Sequence, residues 1–324
     1  MSKVKRVLLV SPRGFCAGVA RAVKAVEDTL HFFGAPVYVK HGIVHNKYVV
    51  SDIESKGAIT VEELSEVPDG AVVVFSAHGS PPEHYREAKR RHLRLIDATC
   101  PLVTKVHLEV QRFLGDGYTV IYIGHRGHIE GIGVLGEAAL SGKPETGRIT
   151  LVETLEDVRN LPIENSEKLA YLTQTTLSID DTRTIIEALK EKYPQIVAPP
   201  LADICYATTN RQEAVRELTK VSDLILIFGS KNSSNSTRLM ETARAGGARA
   251  HLLDDISELN PEWLGGVETV GMSAGASAPE KVVQEAVHYF EEHGATIEDF
   301  TVKQEQMKFS EPLELMQIRR NKIQ

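Results

Sequence analysis

Short apolar runs alternate with polar turns and amphipathic stretches along most of the chain. Val7 to Val10, Val37 to Val39, Ala71 to Phe75, Leu95-Ile96, Val120 to Ile123, Ile149 to Val152, Leu169 to Leu172, Leu224 to Phe228, His251 to Leu253 and Val267 to Met272 each read as a strand. Most of these runs are continuously apolar rather than alternating, the pattern of strands covered on both faces in a parallel sheet. The stretches between them carry a helical period. Val19, Val23, Val26 and Leu30 share one helical face, and Val103, Val106, Val110 and Phe113 share another. Ile186, Leu189 and Tyr193 mark a helix that stops at Pro194, and Val215, Leu218 and Val221 mark one that follows Ile204 and CYATTN. Strand, polar turn and helix in repetition mean an α/β fold with mostly parallel sheets, in which ligands are expected at the loops after the strands' carboxyl ends.

Those loops hold nearly all the unusual chemistry. The chain's three cysteines, Cys16, Cys100 and Cys205, fall about one per third of its length. Each is expected where an apolar run ends and a helix begins. A single such cysteine reads most plainly as a small buried hydrophobe. Three at matched turns point to a shared role, because a helix N-terminus favours a thiolate or the sulfides of a bound cluster. Structural zinc usually takes four protein ligands, often in close pairs, and no close pair occurs here. An iron–sulfur cube on three thiolates leaves one iron open, able to bind a substrate oxygen and to pass it electrons.

Composition narrows the class. Apolar residues make up 42% of the 324 and charged residues 25%, with a net charge of −7 and a pI near 6.0. A core of useful size is available, and nothing in the charge balance favours a nucleic-acid partner. No apolar stretch is long enough to span a membrane, and the run at the N-terminus is too short for a secretory signal. An odd, small cysteine count without close pairs is not a disulfide framework, which fits a reducing cytoplasm. The turn at Cys100-Pro101 and the VAPPLAD stretch at 197–203 mark boundaries. They give three α/β lobes at 18–100, 101–197 and 198–298, the last joined by the N-terminal strand 1–17, and a tail at 299–324 that adds a strand or lid.

The other candidates sit in the same loops. His31, His84, His92, His107, His251, His288 and His293 lie on helical or polar stretches and read as surface residues. His45, His78, His125 and His128 lie at strand ends beside Gly and Ser, where imidazoles suit an anionic ligand. GSKNSSN at 229–235 and SAGASAP at 273–279 each follow an apolar strand and precede a helix. As plain surface turns they need no explanation. As turns before helices they offer backbone N–H groups and hydroxyls to a phosphate. Neither has the spacing of a nucleotide-hydrolysing P-loop. Glu130, two residues after His128, is by default a solvated carboxylate; in a phosphate- and metal-lined pocket it becomes a proton donor with a raised pKa, with TQTT at 173–176 as a relay. Gly131, Gly133 and Gly136 match G-x-G-x-x-G, with Glu153 beyond them. That fingerprint belongs in the turn right after its strand, and here HRGHIE intervenes.

Several long blocks resemble one family: PRGFCAGV, VHN, FSAHG, DATCPLVTKVH, GHRGH-x-E, TQTTLS, DICYATTNRQEAV, GSKNSSNS and AGASAP, from about residue 11 to 280. In this order they are similar to the 4-hydroxy-3-methylbut-2-enyl diphosphate reductases (IspH, or LytB), the last enzymes of the non-mevalonate isoprenoid pathway. The resemblance implies three lobes in pseudo-threefold arrangement around a [4Fe–4S] cluster with one open iron. It implies Cys16, Cys100 and Cys205 as cluster ligands, and His45, His78, His128, Ser233, Ser234, Asn235 and Ser277 as diphosphate ligands. Glu130 would be the proton donor, with Thr175 beside the substrate hydroxyl. The resemblance also implies an allylic diphosphate as substrate and a ferredoxin or flavodoxin as the source of electrons. One departure stands out: the family usually reads H-P-E, a valine and then G-T-x-G-Q, whereas this chain has HIEGIGVLGE with Ile129 in the proline's place. On the residues alone, an iron–sulfur hydro-lyase and a zinc-stabilised phosphate-binding protein stay open as alternatives.

Overall fold

The computed structural model describes residues 4–140, 148–163 and 168–323, so parts of the expected N-terminal segment, middle lobe and tail lie outside the described residues. In chain order the elements are β1 (Arg6–Ser11), α1 (Ala17–Phe33), β2 (Val37–Lys40), α2 (Lys47–Ser55), β3 (Ala58–Val61), β4 (Val72–Phe75), α3 (Pro82–Arg90) and β5 (Arg94–Asp97). Then come α4 (Pro101–Gly115), β6 (Thr119–Ile123), α5 (Ile129–Leu135), β7 (Ile149–Val152), α6 (Leu155–Arg159), β8 (Leu169–Thr173) and α7 (Ile179–Lys192). The chain continues through α8 (Tyr206–Thr219), β9 (Leu224–Phe228), α9 (Ser234–Ala245), β10 (Arg249–Leu253), β11 (Thr269–Ala274), α10 (Glu280–Glu292), β12 (Thr296–Thr301) and α11 (Leu313–Ile323). Every pairing between these strands is parallel. No helix among the described residues is long and apolar enough to cross a membrane.

The chain divides into two compact units. One comprises Met1–Ala20, Val44–Asp52 and Tyr206–Phe309 and holds a five-stranded sheet in the order β10-β9-β11-β1-β12. Strand geometry sends successive side chains to opposite faces. Val7, Leu9, Leu224, Leu226, Phe228, Val270 and Met272 therefore pack on one side with Val282, Val283, Ala286 and Phe290 of α10. Leu8, Val10, Ile225 and Ile227 pack on the other with Val215 and Leu218 of α8 and Leu239 and Ala243 of α9. Each such side chain contributes about 2 kcal/mol of burial. Val221 does not join this face: α8 ends at Thr219 and Val221 is 40% exposed in the turn beyond it. The edge strand β12 opens the tail expected to add a strand or lid; Glu298 and Asp299 interrupt its apolar run, and charges of this kind suit an edge.

The other unit comprises Arg21–Ile43, Ile53–Cys205 and Ser310–Gln324. It holds two sheets, ordered β3-β2-β4-β5 and β7-β6-β8. In the second, Ile121, Ile123, Leu169 and Tyr171 pack with Ile185 and Leu189 of α7 on one face. Val120, Tyr122, Ala170 and Leu172 pack with Val106, Val110 and Phe113 of α4 on the other. The tail adds α11 to this unit, with Leu315 fully buried and Arg319 paired to Asp28 and Glu311.

All three sheets share one topological device. In the five-stranded sheet, β9 leads through α9 to β10 on one side, and β11 leads through α10 towards β12 on the other. The chain diverges likewise between neighbours β2 and β4, and between β6 and β8. Such divergence leaves a crevice at the carboxyl ends of the two central strands, the usual place for a ligand in this architecture.

Candidate functional site

The strand-to-helix setting expected for the cysteines holds at Cys16, after β1 and before α1, and at Cys100, which caps α4 ahead of Pro101. It fails at Cys205. No strand precedes that residue: residues 198–204 are irregular, and Pro199-Pro200 cannot donate to a ladder. The Cys205 N–H donates instead to the Thr175 carbonyl at 3.0 Å, just past β8. None of the three cysteines is in a disulfide, and each is half-buried.

In the first unit, the crevice between β9 and β11 gathers six of the expected residues. The Cys16 N–H donates to the Ala276 carbonyl at 3.2 Å, and the Ala276 N–H donates to Asn235 Oδ1 at 2.8 Å. Asn235 Nδ2 in turn donates to Thr208 Oγ1 at 3.3 Å. The Ser277 hydroxyl donates to the His45 carbonyl at 3.0 Å and lies 3.5 Å from Ser233 Oγ. Ser233 caps α9 by accepting from the Ser236 N–H, and Ser234 is the first helical residue, half-buried. The turns after β9 and β11 approach so closely that a Cβ on Gly229 or Gly275 would overlap the Ser236 hydroxyl. Glycine is required there by the packing of the crevice itself.

The Cys16 turn is held from beneath. The guanidinium of Arg211, 1% exposed, donates to the Gly14 carbonyl at 2.8 and 3.2 Å and to Glu305 at 3.0 and 3.2 Å. Asn210 also donates to Glu305, at 3.0 Å. The Tyr206 hydroxyl accepts from the Ala17 N–H at 3.3 Å, and burial pushes it up to about 12.

In the second unit the expected residues form a continuous series. The Cys100 N–H donates to the Ala77 carbonyl at 3.0 Å, beside His78. His78 Nδ1 lies 3.2 Å from Ser76 Oγ, and its ring meets the His128 ring edge-on at 6.3 Å. His128 caps α5: its Nδ1 accepts from the Glu130 N–H at 3.2 Å. Glu130 Oε1 accepts from the Thr175 N–H at 2.7 Å, and Oε2 accepts from the Thr175 hydroxyl at 2.8 Å. Glu130 is 2% exposed. Burial raises its carboxyl from the ordinary 4.5 to about 7, against the two Thr175 bonds and His107, with Asp203 adding to the rise. An acid that titrates there can donate a proton at neutral pH.

Ile129 occupies the first helical position of α5, where proline's fixed backbone would also fit. His128 supplies the cap, so the helix that carries Glu130 starts at the same place without the proline.

Several contributors went unread in the sequence. The sequence places His107 among the surface residues; the residue is instead 8% exposed, with Nδ1 2.6 Å from Glu137 Oε1. The signal was present, since His107 falls on the same helical face as Val103, Val106 and Val110. His251 is likewise not free on the surface, but stacks on Trp263 at 3.6 Å. Asp203 accepts from the Thr173 N–H and from Lys105 Nζ, both at 2.8 Å. Gln174 accepts from the His125 N–H at 2.9 Å. Among the described residues, no group of three or more His, Cys, Asp or Glu stands close enough to hold a single metal ion.

The LytB protein family model matches residues 7–291. The 4-hydroxy-3-methylbut-2-enyl diphosphate reductase of Haemophilus influenzae (strain PittGG) is 53% identical over 311 residues, 96% of this chain and 98% of that protein. The protein of the same name from Haemophilus ducreyi is 55% identical over 310 residues, 95% of this chain and 98% of that protein. Among solved structures, the E-1-hydroxy-2-methyl-but-2-enyl-4-diphosphate reductase from Plasmodium falciparum superposes with a TM-score of 0.94 at 38% identity, covering 99% of this chain and all of that one.

Proposed function

The chain belongs to the LytB family, and from that premise we propose that it reduces (E)-4-hydroxy-3-methylbut-2-enyl diphosphate to isopentenyl and dimethylallyl diphosphate. Atoms balance as follows: one C–O bond breaks, one C–H bond forms, two electrons and two protons enter, and water leaves. The observation that carries this reading is Glu130: a buried acid titrating at about 7, held by both the N–H and the hydroxyl of Thr175. It protonates the departing hydroxyl, and Thr175 keeps its carboxyl aimed. His45, His78, His128, Ser233, Ser234, Asn235 and Ser277 hold the diphosphate through ring nitrogens, hydroxyls and an amide, as their positions at strand ends allow.

Cys16, Cys100 and Cys205 are the ligands of the iron–sulfur cluster. Their chemistry fits: each is a cysteine outside any disulfide, half-buried and directly before a helix, where backbone N–H groups suit the sulfides of a bound cluster. We assign it as [4Fe–4S] with one iron lacking a protein ligand. When bound, it supplies single-electron transfer and Lewis acidity. Electrons come from an outside donor of the ferredoxin or flavodoxin kind. The same reading divides the chain into three lobes and assigns the reaction to the cytoplasm, where reducing conditions keep thiols free.

The test is anaerobic purification followed by metal analysis and assay. A brown protein with iron and sulfide is expected, consuming hydroxymethylbutenyl diphosphate only when dithionite is added. A folded, colourless, zinc-loaded protein overturns the cluster assignment, and turnover without reductant overturns the reductase assignment.

A further inference from the structure

His107 and Glu137 are a buried polar pair for which the binding and chemistry above have no use. The apolar face of α4 carries His107 inward, and Glu137 is held at 3% exposure in the 3-10 turn Gly136–Leu140. Glu137 ends the GIGVLGE stretch in which this chain departs from the family pattern. One of its oxygens lies 2.6 Å from His107 Nδ1, and the other accepts from Gln111 Nε2 at 2.9 Å. His107 Nε2 is buried and has no hydrogen-bond partner. It faces backbone on two sides: a Cβ on Gly79 would lie 2.8 Å from it, and a Cβ on Gly133 would lie 3.3 Å from it. The ring is thus wedged between the turn that carries His78 and the helix that carries Glu130. Burying such a pair costs desolvation that an apolar side chain at this position would avoid, so stability alone does not account for it.

We propose that His107 and Glu137 form a positioning pair that fixes Glu130 and the His78–Gly79 turn for proton delivery. This rests on the assignment of Glu130 as proton donor. The groups around Glu130 are Thr175 from the turn after β8, His107 from α4, Asp203 from the segment before α8 and Tyr122 from β6. Its own helix adds the His128 cap, and His78 meets that ring from the turn after β4. Burial and Asp203 favour the neutral acid; Thr175 and His107 oppose them. Without His107, burial is opposed less, and Glu130 holds its proton more tightly; Glu137 acts by holding the His107 ring in place.

The experiment is an infrared titration of the anaerobically purified protein, following the protonated carboxyl band that Glu130→Gln removes. Wild type should titrate at about 7. His107→Gln should raise that midpoint by about one pH unit, a tenfold change in proton binding, and Glu137→Ala, which releases the His107 ring, should shift it measurably. Glu137→Gln, which keeps an acceptor for the ring but not the charge, should shift it less than Glu137→Ala. The alkaline limb of kcat should move with the infrared midpoint. An unmoved midpoint in Glu137→Ala and His107→Gln, with melting temperature retained, overturns the proposal. If those variants fold poorly, an unmoved midpoint in Glu137→Gln overturns it. The infrared reading needs no turnover, so failure of the reductase assignment and failure of the pair are told apart.

Discussion

Replacing Glu130 by glutamine separates the acid's titration from its packing. Glutamine keeps an acceptor for the Thr175 N–H and fills nearly the same space, but it does not ionise. In the folded chain the Glu130 carboxyl is raised from 4.5 to about 7, chiefly by burial. A raised acid favours the fold fully below the unfolded value, and that contribution is lost as pH climbs through the folded value. The window here runs from 4.5 to about 7, and the loss across it is about 3 kcal/mol. The stability of Glu130→Gln relative to wild type should therefore rise with pH by up to about 3 kcal/mol, while kcat falls about a hundredfold or more. Denaturant unfolding at about pH 5 and about pH 8.5, for both proteins, reads the first effect. Calorimetric binding of the substrate should be unchanged. A stability difference that is the same at both pH values refutes the placement of a strained, buried acid at this position.

Glu305→Ala should leave the Arg211 guanidinium buried without its carboxylate and cost about 3 kcal/mol, read from denaturation midpoints. The same variant should speed hydrogen exchange in the turn around Gly14, which Arg211 holds. Ile129→Pro should be tolerated and raise stability by about 0.5–1 kcal/mol. His128 before it already has φ −71 and ψ 136, the extended backbone that a following proline demands; a lower melting temperature would contradict this. Asn235→Ala should strand the Ala276 N–H, costing about 1–3 kcal/mol, and should weaken inorganic diphosphate binding by calorimetry.

Much of this was legible in the sequence for one physical reason. A strand covered on both faces must be apolar throughout, so Val120 to Ile123 and Leu224 to Phe228 announce themselves, and the loops after them follow. Edge strands escape that constraint: β12, open on one side, carries Glu298 and Asp299 and reads as tail. Cys205 is legible as a candidate site residue but not in its setting. Its loop is anchored by Thr175, thirty residues earlier, and no local pattern encodes such a bond. His107 shows the opposite error. Its side chain suggested the surface while its helical position pointed inward, and position prevailed because Glu137 was there to receive it. The partnership of Glu130 with Thr175 could be guessed from residue types, but the degree of burial that tunes it could not.

The strand order of the five-stranded sheet carries a consequence for biosynthesis. β1 pairs only with β11 and β12, in registers such as Leu8 with Gly271 and Leu8 with Glu298. It leaves the ribosome about 260 residues before β11, roughly 15 to 50 seconds at ordinary elongation rates. Throughout that interval Val7 to Val10 is an apolar segment with both edges bare, a ready target for chaperones and for misassociation. The Cys16 turn, whose N–H bonds to Ala276 and whose base is held by Arg211 and Glu305, cannot take its final form sooner. The proposed role of Cys16 as a cluster ligand therefore makes cofactor loading a post-translational event, timed by the completion of this sheet rather than by the first appearance of that cysteine.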